Sequence, residues 1–463
     1  MDIFDLVIIG GGPAGYTAAI RASQLGMKVA CIEKRSTLGG TCLNVGCIPS
    51  KALLNYSEKY YDANNHFADC GIDIKTSLNL DKMMLKKNKI VADLANGIQS
   101  LFAKNQVKHF QGTGKIITPN KVLIINEGAN IEIQAKNILI ATGSVVSKIP
   151  NINYDEKDIV SSTGALSFDC VPQRLVVIGG GYIGIELGCV WARLGSKVQV
   201  IEYGNRILPS LDEEIAKIMQ KTLEKQNISF NFGTKLERIE KNQSNLLIHA
   251  TCDKNNITFE TDKVLIAVGR SPFTEGLWEQ NIGLKLDAKG RVIVNNKYQT
   301  SISNIYAVGD VIDGPMLAHK AEEEAISAVE SMVGKVKIIN YKHIPSVIYT
   351  YPEIASVGAT EEELKAKSIG YKVGKFPLKA NSRARSIDAN DGLIKILVDS
   401  TSDEILGAHI MAPNAGDLIN EITLGMSFRA SAEDIFSICH PHPTISEAIK
   451  EACLNSHGIS INF

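Results

Sequence analysis

One pattern occurs twice in this chain, at a fixed offset of 169 residues (Gly10 to Gly179), and any fold proposed for it must contain the repeat. Phe4 to Ile9 reads as a buried strand that runs into Gly10-Gly11-Gly12-Pro13-Ala14-Gly15 and then a helical stretch. Leu175 to Ile178 does the same, running into Gly179-Gly180-Gly181-Tyr182-Ile183-Gly184 and a second helix. At this offset Leu25-Gly26 also matches Leu194-Gly195, Lys28-Val29 matches Lys197-Val198, and Ile32-Glu33 matches Ile201-Glu202. The repeating object is therefore a whole strand–helix–strand unit.

A lone G-x-G-x-x-G is a weak signal, but here each copy has a strand before it, a helix after it and an acid at the end of the next strand. Gly10 and Gly179 permit a tight turn, Gly12 and Gly181 let a pyrophosphate approach the backbone, and Gly15 and Gly184 let the helix close on the sheet. A pyrophosphate there meets free N–H groups and the positive end of the helix dipole. Glu33 and Glu202 each follow the first glycine of their copy by 23 residues, placed to accept hydrogen bonds from a ribose. Glycine-rich turns that bind nothing are the alternative, and two matched copies weigh against it. At Glu202 a carboxylate repels the 2′-phosphate of NADP, so the second site is expected to take NAD. Arg206 is close by; a solvated surface arginine is its plainer reading. Two such sites in one enzyme suggest a prosthetic flavin and a diffusing nicotinamide, without saying which is which.

The 463 residues suggest about three domains at roughly 100–200 residues each. Ile138 to Ala141, before Thr142-Gly143, and Val264 to Val268, before Gly269-Arg270, are strand-like, and each is expected to end its dinucleotide-binding sheet. Ile305 to Val308 is a further strand, ending in Gly309-Asp310. After Pro345, Val373 to Phe376, Leu393 to Val398 and Ile405 to Ile410 read as antiparallel strands, with helices at Gly416 to Arg429 and Ile445 to Leu454. The expected class is α/β: two Rossmann-like dinucleotide-binding domains plus a C-terminal α+β dimerisation domain. The expected boundaries are 1–144, 145–270, a central 271–341 completing the first site, and 342–463.

The 49 basic and 50 acidic side chains nearly cancel, so nothing argues for nucleic acid or an anionic membrane surface. No apolar run reaches the roughly 20 residues of a membrane span. Met1 to Ile9 enters a strand at once, without a basic n-region, cleavage site or Arg-rich leader, so the chain is expected to be cytoplasmic or already processed. Nine cysteines, an odd count in a large chain, fit a reducing compartment rather than a disulfide framework.

One pair stands apart, in Gly39-Gly40-Thr41-Cys42-Leu43-Asn44-Val45-Gly46-Cys47-Ile48-Pro49-Ser50-Lys51. Five residues of regular helix advance about 7.5 Å, and a disulfide needs Cα atoms within about 7 Å. A bridge between Cys42 and Cys47 therefore needs an irregular segment, which Gly46 and Pro49 supply. Cys47 is expected to start a helix, whose N-terminus stabilises a thiolate. Three readings stay open on these grounds: a redox pair, two buried thiols, or half of a zinc site, the last without a Cys/His partner pair nearby.

The run Gly39 to Leu54 (GGTCLNVGCIPSKALL) resembles the active-site segment of the glutathione reductase-like flavoprotein disulfide reductases, in the branch that oxidises dihydrolipoamide. The likeness covers nearly the whole chain, through Ala141-Thr142-Gly143, the second glycine motif with Glu186, Val268-Gly269-Arg270, Gly309-Asp310 and His440 to Glu447 (HPHPTISE). The resemblance implies FAD at the first site, NAD at the second, and no metal. It implies a Cys42–Cys47 disulfide, with Cys42 exchanging with substrate and Cys47 facing the flavin. Lys51 would sit near the flavin and pair with Glu186, Thr142 and Gly143 would border the flavin, and Gly269 the nicotinamide dinucleotide. Asp310 would bind the ribityl chain, and Ala318-His319 would lie along the isoalloxazine ring. Tyr182 matches a tyrosine that shields the flavin in glutathione reductases, where this branch often has an aliphatic residue.

His442 and Glu447 match the family's acid–base dyad. Dithiol oxidation needs such a base, because ordinary thiols must lose a proton before attack. Without the resemblance, His442 between two prolines reads as a loop histidine, and His440 as structural. In the family the dyad comes from the other subunit, which implies an obligate homodimer; the implied partners are lipoyl domains of 2-oxo acid dehydrogenase or glycine-cleavage complexes. Glutathione-type reductases usually prefer NADP, against Glu202. Mercuric reductases and large thioredoxin reductases need a C-terminal redox pair, where this tail has Cys453 alone. A flavoprotein that only binds a partner is opposed by Cys42, Cys47, Lys51, His442 and Glu447 together.

Overall fold

A computed structural model describes residues 3–126, 128–242, 245–335 and 337–463. They fall into two compact units: Met1–Ala52, Asp81–Ile149 and Gly269–Ile339 form the first, and Leu53–Leu80, Pro150–Val268 and Asn340–Phe463 the second.

The first unit is built on a seven-stranded sheet in the order Lys108–Gln111, Val29–Glu33, Ile3–Ile9, Ile131–Ile140, Lys121–Ile125, Thr113–Thr118, with Ile305–Ala307 also pairing Ile131–Ile140. Val29–Glu33 is buried at every position, as expected of a parallel strand covered on both faces. In register, Ile9 lies beside Ile32 and Ile140, and Ala307 beside Ile140. Four parallel strands thus end along one edge, and the segments that leave them begin at Gly10, Lys34, Ala141 and Val308. Ligands of open α/β sheets bind beyond such carboxyl ends. Helix Pro13–Gln24 buries Ala14, Ala18, Ala19 and Ala22, small side chains that let it lie close to its neighbours.

The second unit repeats the plan with five parallel strands in the order Ile228–Asn231, Lys197–Ile201, Arg174–Ile178, Lys263–Ile266, Ile159–Val160. An antiparallel meander of Thr234–Lys241, Leu246–Cys252 and Asn255–Thr261 accompanies it. The same unit holds a five-stranded antiparallel sheet, ordered Ser346–Ile348, Glu353–Gly358, Ile405–Ala412, Leu393–Asp399, Tyr371–Pro377. Ile394, Ile396, Val398 and Ile410 of that sheet share one core with Ile419, Ile422, Ala448 and Ile449 of helices Ala415–Ser427 and Glu447–Ser456.

The structure departs from the sequence reading at the two strands expected to end the dinucleotide sheets. Ile131–Ile140 and Lys263–Ile266 are interior strands, each flanked on both sides. Their outer neighbours come from other parts of the chain: Lys121–Ile125 and Ile305–Ala307 in the first sheet, and Ile159–Val160 in the second. No described helix is long and apolar enough to cross a membrane.

Candidate active site

The two glycine turns have the same backbone. Gly10 and Gly179 both sit at φ +108°, where a Cβ would press on a carbonyl oxygen, of Ala141 at 2.3 Å in the first turn and of Ala267 at 2.5 Å in the second. A Cβ on Gly15 would meet the Gly10 oxygen at 1.8 Å, and one on Gly184 the Gly179 oxygen at 2.3 Å. Neither helix that follows, Pro13–Gln24 or Tyr182–Arg193, is capped by a side chain at its N-terminus. Uncapped first-turn N–H groups of this kind are able to take a pyrophosphate oxygen.

Both acids are fixed by the turn they face. Glu33 Oε2 accepts from Gly11 N–H at 2.8 Å and Oε1 from Arg35 N–H at 2.9 Å. Glu202 Oε2 accepts from Gly180 N–H at 2.6 Å and Oε1 from Gly204 N–H at 2.5 Å. These four donors obey the same 169-residue offset, so the repeat extends to hydrogen bonds that the sequence reading did not include. The turns differ in one respect. A Cβ on Gly40 would lie 2.6 Å from Gly12 Cα, so a second stretch of backbone closes over the first turn, whereas a Cβ on Gly181 would meet nothing within 4 Å.

Cys42 lies in the short helix Gly40–Val45, and Cys47 begins the helix Cys47–Asn65. Gly46 between them is at φ −143°, ψ −116°, the irregular link that the C-x₄-C spacing requires. Both cysteines are free thiols, with the Cys42 thiol hydrogen-bonded to Cys47, so the pair is described in its reduced state. That contact, with burial and the field of Cys47, pushes the Cys42 thiol far above its ordinary pKa; the Glu322 carboxylate pushes the same way. Asn44 pins the segment, donating to the Leu38 and Gly40 carbonyls at 3.1 and 2.9 Å. Lys51 is one turn beyond Cys47 on the same helix face.

Near the sheet edge, Thr142 donates to the Phe273 carbonyl at 2.7 Å, and Gly143 is at φ +69°. Asp310 Oδ2 accepts from Ser144 Oγ at 2.6 Å, and Ser144 Oγ in turn accepts from Arg270 Nε at 2.7 Å. This relay leaves Asp310 Oδ1 without a partner among the described residues. Ser144 is absent from the sequence reading because no local pattern links it to Asp310, 166 residues away. Ala318 and His319 open the helix Ala318–Met332. Gly269, at φ +121°, precedes the ribbon in which Arg270–Pro272 pairs Ser144–Val146.

In the second unit, Glu186 is buried and accepts from Tyr349 N–H at 3.0 Å. Tyr182 opens its helix and is 40% exposed. Arg206 donates to the Leu211 and Pro209 carbonyls, tying its own loop. His442 Nδ1 lies 2.8 Å from Glu447 Oε1, and Glu447 Oε2 accepts from Thr444 N–H at 2.8 Å. Burial works to raise the Glu447 pKa, but the Thr444 N–H and the imidazole together hold it below the usual carboxylate range. The His442 side chain is 69% exposed, whereas His440 is 4% exposed and paired with Glu421 at 2.9 Å. His440 is thus held inward by Glu421, and His442 is presented outward. Leu424, Phe428 and Ile438, in the same part of the chain, are exposed apolar side chains.

The chain belongs to the pyridine nucleotide-disulphide oxidoreductases, a family of FAD- and NAD-using enzymes: that family's model matches residues 4–325, and the family's dimerisation domain matches residues 344–453. Among individual proteins, it is 50% identical over 465 residues to dihydrolipoyl dehydrogenase 2, mitochondrial, of Arabidopsis thaliana, covering 100% of this chain and 92% of the relative. It is 51% identical over 463 residues to dihydrolipoyl dehydrogenase, mitochondrial, of Caenorhabditis elegans, covering 99% and 94%. The HOCl-induced flavoprotein disulfide reductase RclA of Escherichia coli, solved as a Cu(II) complex, superposes with a TM-score of 0.89 at 27% identity, covering 98% and 99%. The names of the first two relatives overturn the expectation of a cytoplasmic protein, since both are mitochondrial. A reduced-thiol composition is shared by both compartments and does not discriminate between them.

Proposed function

We propose that this chain acts as a dihydrolipoyl dehydrogenase in mitochondria, oxidising dihydrolipoamide carried on lipoyl domains of 2-oxo acid dehydrogenase or glycine-cleavage complexes, with NAD⁺ as final acceptor. One observation carries the reading: a hydrogen-bonded dithiol, Cys42 and Cys47, lies in the same unit as a dinucleotide turn closed over by Gly40. A closed turn suits a prosthetic group, and the open turn at Gly181 suits a nicotinamide that comes and goes.

The first site, Gly10, Gly12, Gly15, Glu33, Thr142, Gly143 and Asp310, with Ala318, His319 and Lys51, is assigned to FAD. The second, Gly179, Gly181, Gly184, Glu202 and Gly269, is assigned to NAD. FAD held there would supply the two-electron relay between the Cys42–Cys47 dithiol and NAD⁺. The chain's own groups manage the protons. His442, held by Glu447 through Nδ1, takes a proton at Nε2 from a dihydrolipoamide thiol; that sulfur bonds to Cys42 of the oxidised pair, breaking the Cys42–Cys47 disulfide and releasing Cys47 as thiolate. The second substrate sulfur then displaces Cys42, and its proton passes to the departing Cys42 sulfur, leaving cyclic lipoamide, a Cys42 thiol and a Cys47 thiolate. Glu447 stabilises the imidazolium without itself taking the proton. The helix N-terminus at Cys47 favours negative charge there. In the homodimer given by the dimerisation domain, His442 of one protomer serves Cys42 of its partner.

The test is steady-state turnover with dihydrolipoamide and, in parallel, oxidised glutathione, each with both nicotinamides. The proposal expects rapid NAD⁺ reduction by dihydrolipoamide and negligible glutathione reduction; the reverse pattern would assign the chain to the glutathione reductases.

A further inference from the structure

The most deeply buried ion pair beside the first site is not accounted for by the site itself. Lys320 and Glu324 are neighbours one turn apart on helix Ala318–Met332, 3.0 Å from each other, and both side chains are 0% exposed. An ammonium has three donors, and here each has an acceptor: Glu324 Oε1, the Gly309 carbonyl at 3.1 Å and the Asp313 carbonyl at 3.3 Å. The other oxygen of Glu324 accepts from the Gly309 N–H at 2.8 Å. The pair therefore grips both polar groups of Gly309 and the carbonyl of Asp313, on either side of Asp310.

Burying two charges is expensive, and an apolar pair of the same volume often gives equal or better stability. What an apolar pair lacks is any hold on the 309–313 backbone. Gly309 is at φ +81°, left-handed, and a Cβ on it would lie 3.3 Å from that of Ala321 and 3.6 Å from that of Ala14. The turn is thus forced against two helices and then tied there by charge. Ala318 and His319, at the start of the same helix, belong to the site as well.

We infer that Lys320 and Glu324 are positioning residues for the flavin: they fix the Gly309–Asp313 turn so that the Asp310 carboxylate stands at a set place relative to the Ala318–His319 helix start. The inference rests on the proposed reading of Asp310 as a ribityl ligand. The pair touches neither flavin nor substrate in this account; it acts through Asp310. The Ser144 relay orients the Asp310 side chain, and the ion pair sets its backbone.

The test is a double-mutant cycle on FAD affinity, measured by reconstituting apoenzyme with FAD and following flavin fluorescence. The neutral double variant Lys320→Met/Glu324→Met strands no buried charge. It is expected to fold, judged by far-ultraviolet circular dichroism, and to bind FAD about tenfold to a hundredfold more weakly, the range of one or two lost hydrogen bonds to a charged group. Asp310→Asn in the parent is expected to weaken FAD similarly, and its effect is expected to shrink to under about threefold in the double-variant background, because contacting groups are not additive. Full additivity, or unchanged FAD affinity in the double variant while Asp310→Asn weakens it, would overturn the inference. Should Asp310→Asn alone leave FAD affinity unchanged, the reading of Asp310 has failed, and the inference falls with it. If the double variant does not fold, Lys320→Arg, which keeps the charge but cannot offer one nitrogen to three acceptors, is put through the same cycle with the same readings.

Discussion

The Glu202 carboxylate accepts the Gly180 N–H at 2.6 Å, joining the end of one strand to the turn after its neighbour. With the Gly204 N–H on its other oxygen at 2.5 Å, both oxygens of the carboxylate are tied to backbone beside the second glycine turn. The charge is therefore a fixed feature of the second turn and not a mobile surface acid. Glu202→Ala should narrow the preference for NAD over NADP by about tenfold to a hundredfold, the value of a charge-assisted hydrogen bond. The ratio of kcat/KM for the two nucleotides measures this; equal wild-type turnover with NADP would contradict it.

The open turn at Gly181 makes a second prediction. A methyl there meets nothing within 4 Å, so Gly181→Ala should fold and hold FAD normally. It occupies the space a pyrophosphate needs, so the KM for NAD⁺ should rise about tenfold or more. Gly15→Ala, whose Cβ would meet the Gly10 oxygen at 1.8 Å, should instead yield little flavin-loaded protein. An unchanged KM in Gly181→Ala would remove the second turn from the nucleotide site.

Much of this site is legible in the sequence because its chemistry is written in short runs. The glycine turns, the cysteine segment and His442 to Glu447 each depend on neighbours within a few residues, and each keeps its local pattern in the structure. Partners distant in the chain are not legible in this way. Ser144 meets Asp310, and Lys395 meets Asp212 from 183 residues away, through side chains with no periodicity to announce them. The order of strands is lost for the same reason: Ile131–Ile140 has the pattern of any buried strand, and only packing makes it central. The compartment is misread because the fold and the thiol chemistry are the same in either location.

The dyad predicts subunit complementation. His442→Ala should lose about 10²–10⁴-fold in turnover, the usual worth of a general base. Mixing it with an inactive Cys42→Ser chain should restore activity, up to about half of wild type per heterodimer, because one of two symmetry-related sites then has both an intact pair and an intact base. No recovery, in dimers shown to have exchanged subunits, would place the base within its own chain.

Acid stability should depend on Lys395. Its ammonium, 1% exposed, lies 2.9 Å from Asp212, 3.1 Å from Glu214 and 2.6 Å from Glu361. Burial tends to raise the Glu361 pKa, but Lys365, Lys395 and Tyr371 bring it down to about 2, and Lys395 with His409 lowers Asp212 likewise. A depressed carboxylate gives stability that is complete above its unfolded pKa, about 4, and is lost as pH falls through its folded one. Wild type should thus lose stability between about pH 4.5 and 2. Lys395→Met should be less stable at pH 7 by about 3–5 kcal/mol, from the fully buried Asp212 carboxylate left without its ammonium, and should lose less on acidification. Unfolding midpoints across this pH range check both parts; parallel curves would contradict them.

Electrons that pass through Cys42 and Cys47 leave a record in the thiol count of the chain. Oxidised enzyme is treated anaerobically with one equivalent of dihydrolipoamide, quenched, alkylated in denaturant and mapped by mass spectrometry. Two new alkylated thiols per chain are expected, at Cys42 and Cys47 and at none of the other seven cysteines, with the signal lost again when NAD⁺ is added and NADH appears in equal amount. NADH formation from dihydrolipoamide with no change in alkylation at Cys42 and Cys47 would contradict it.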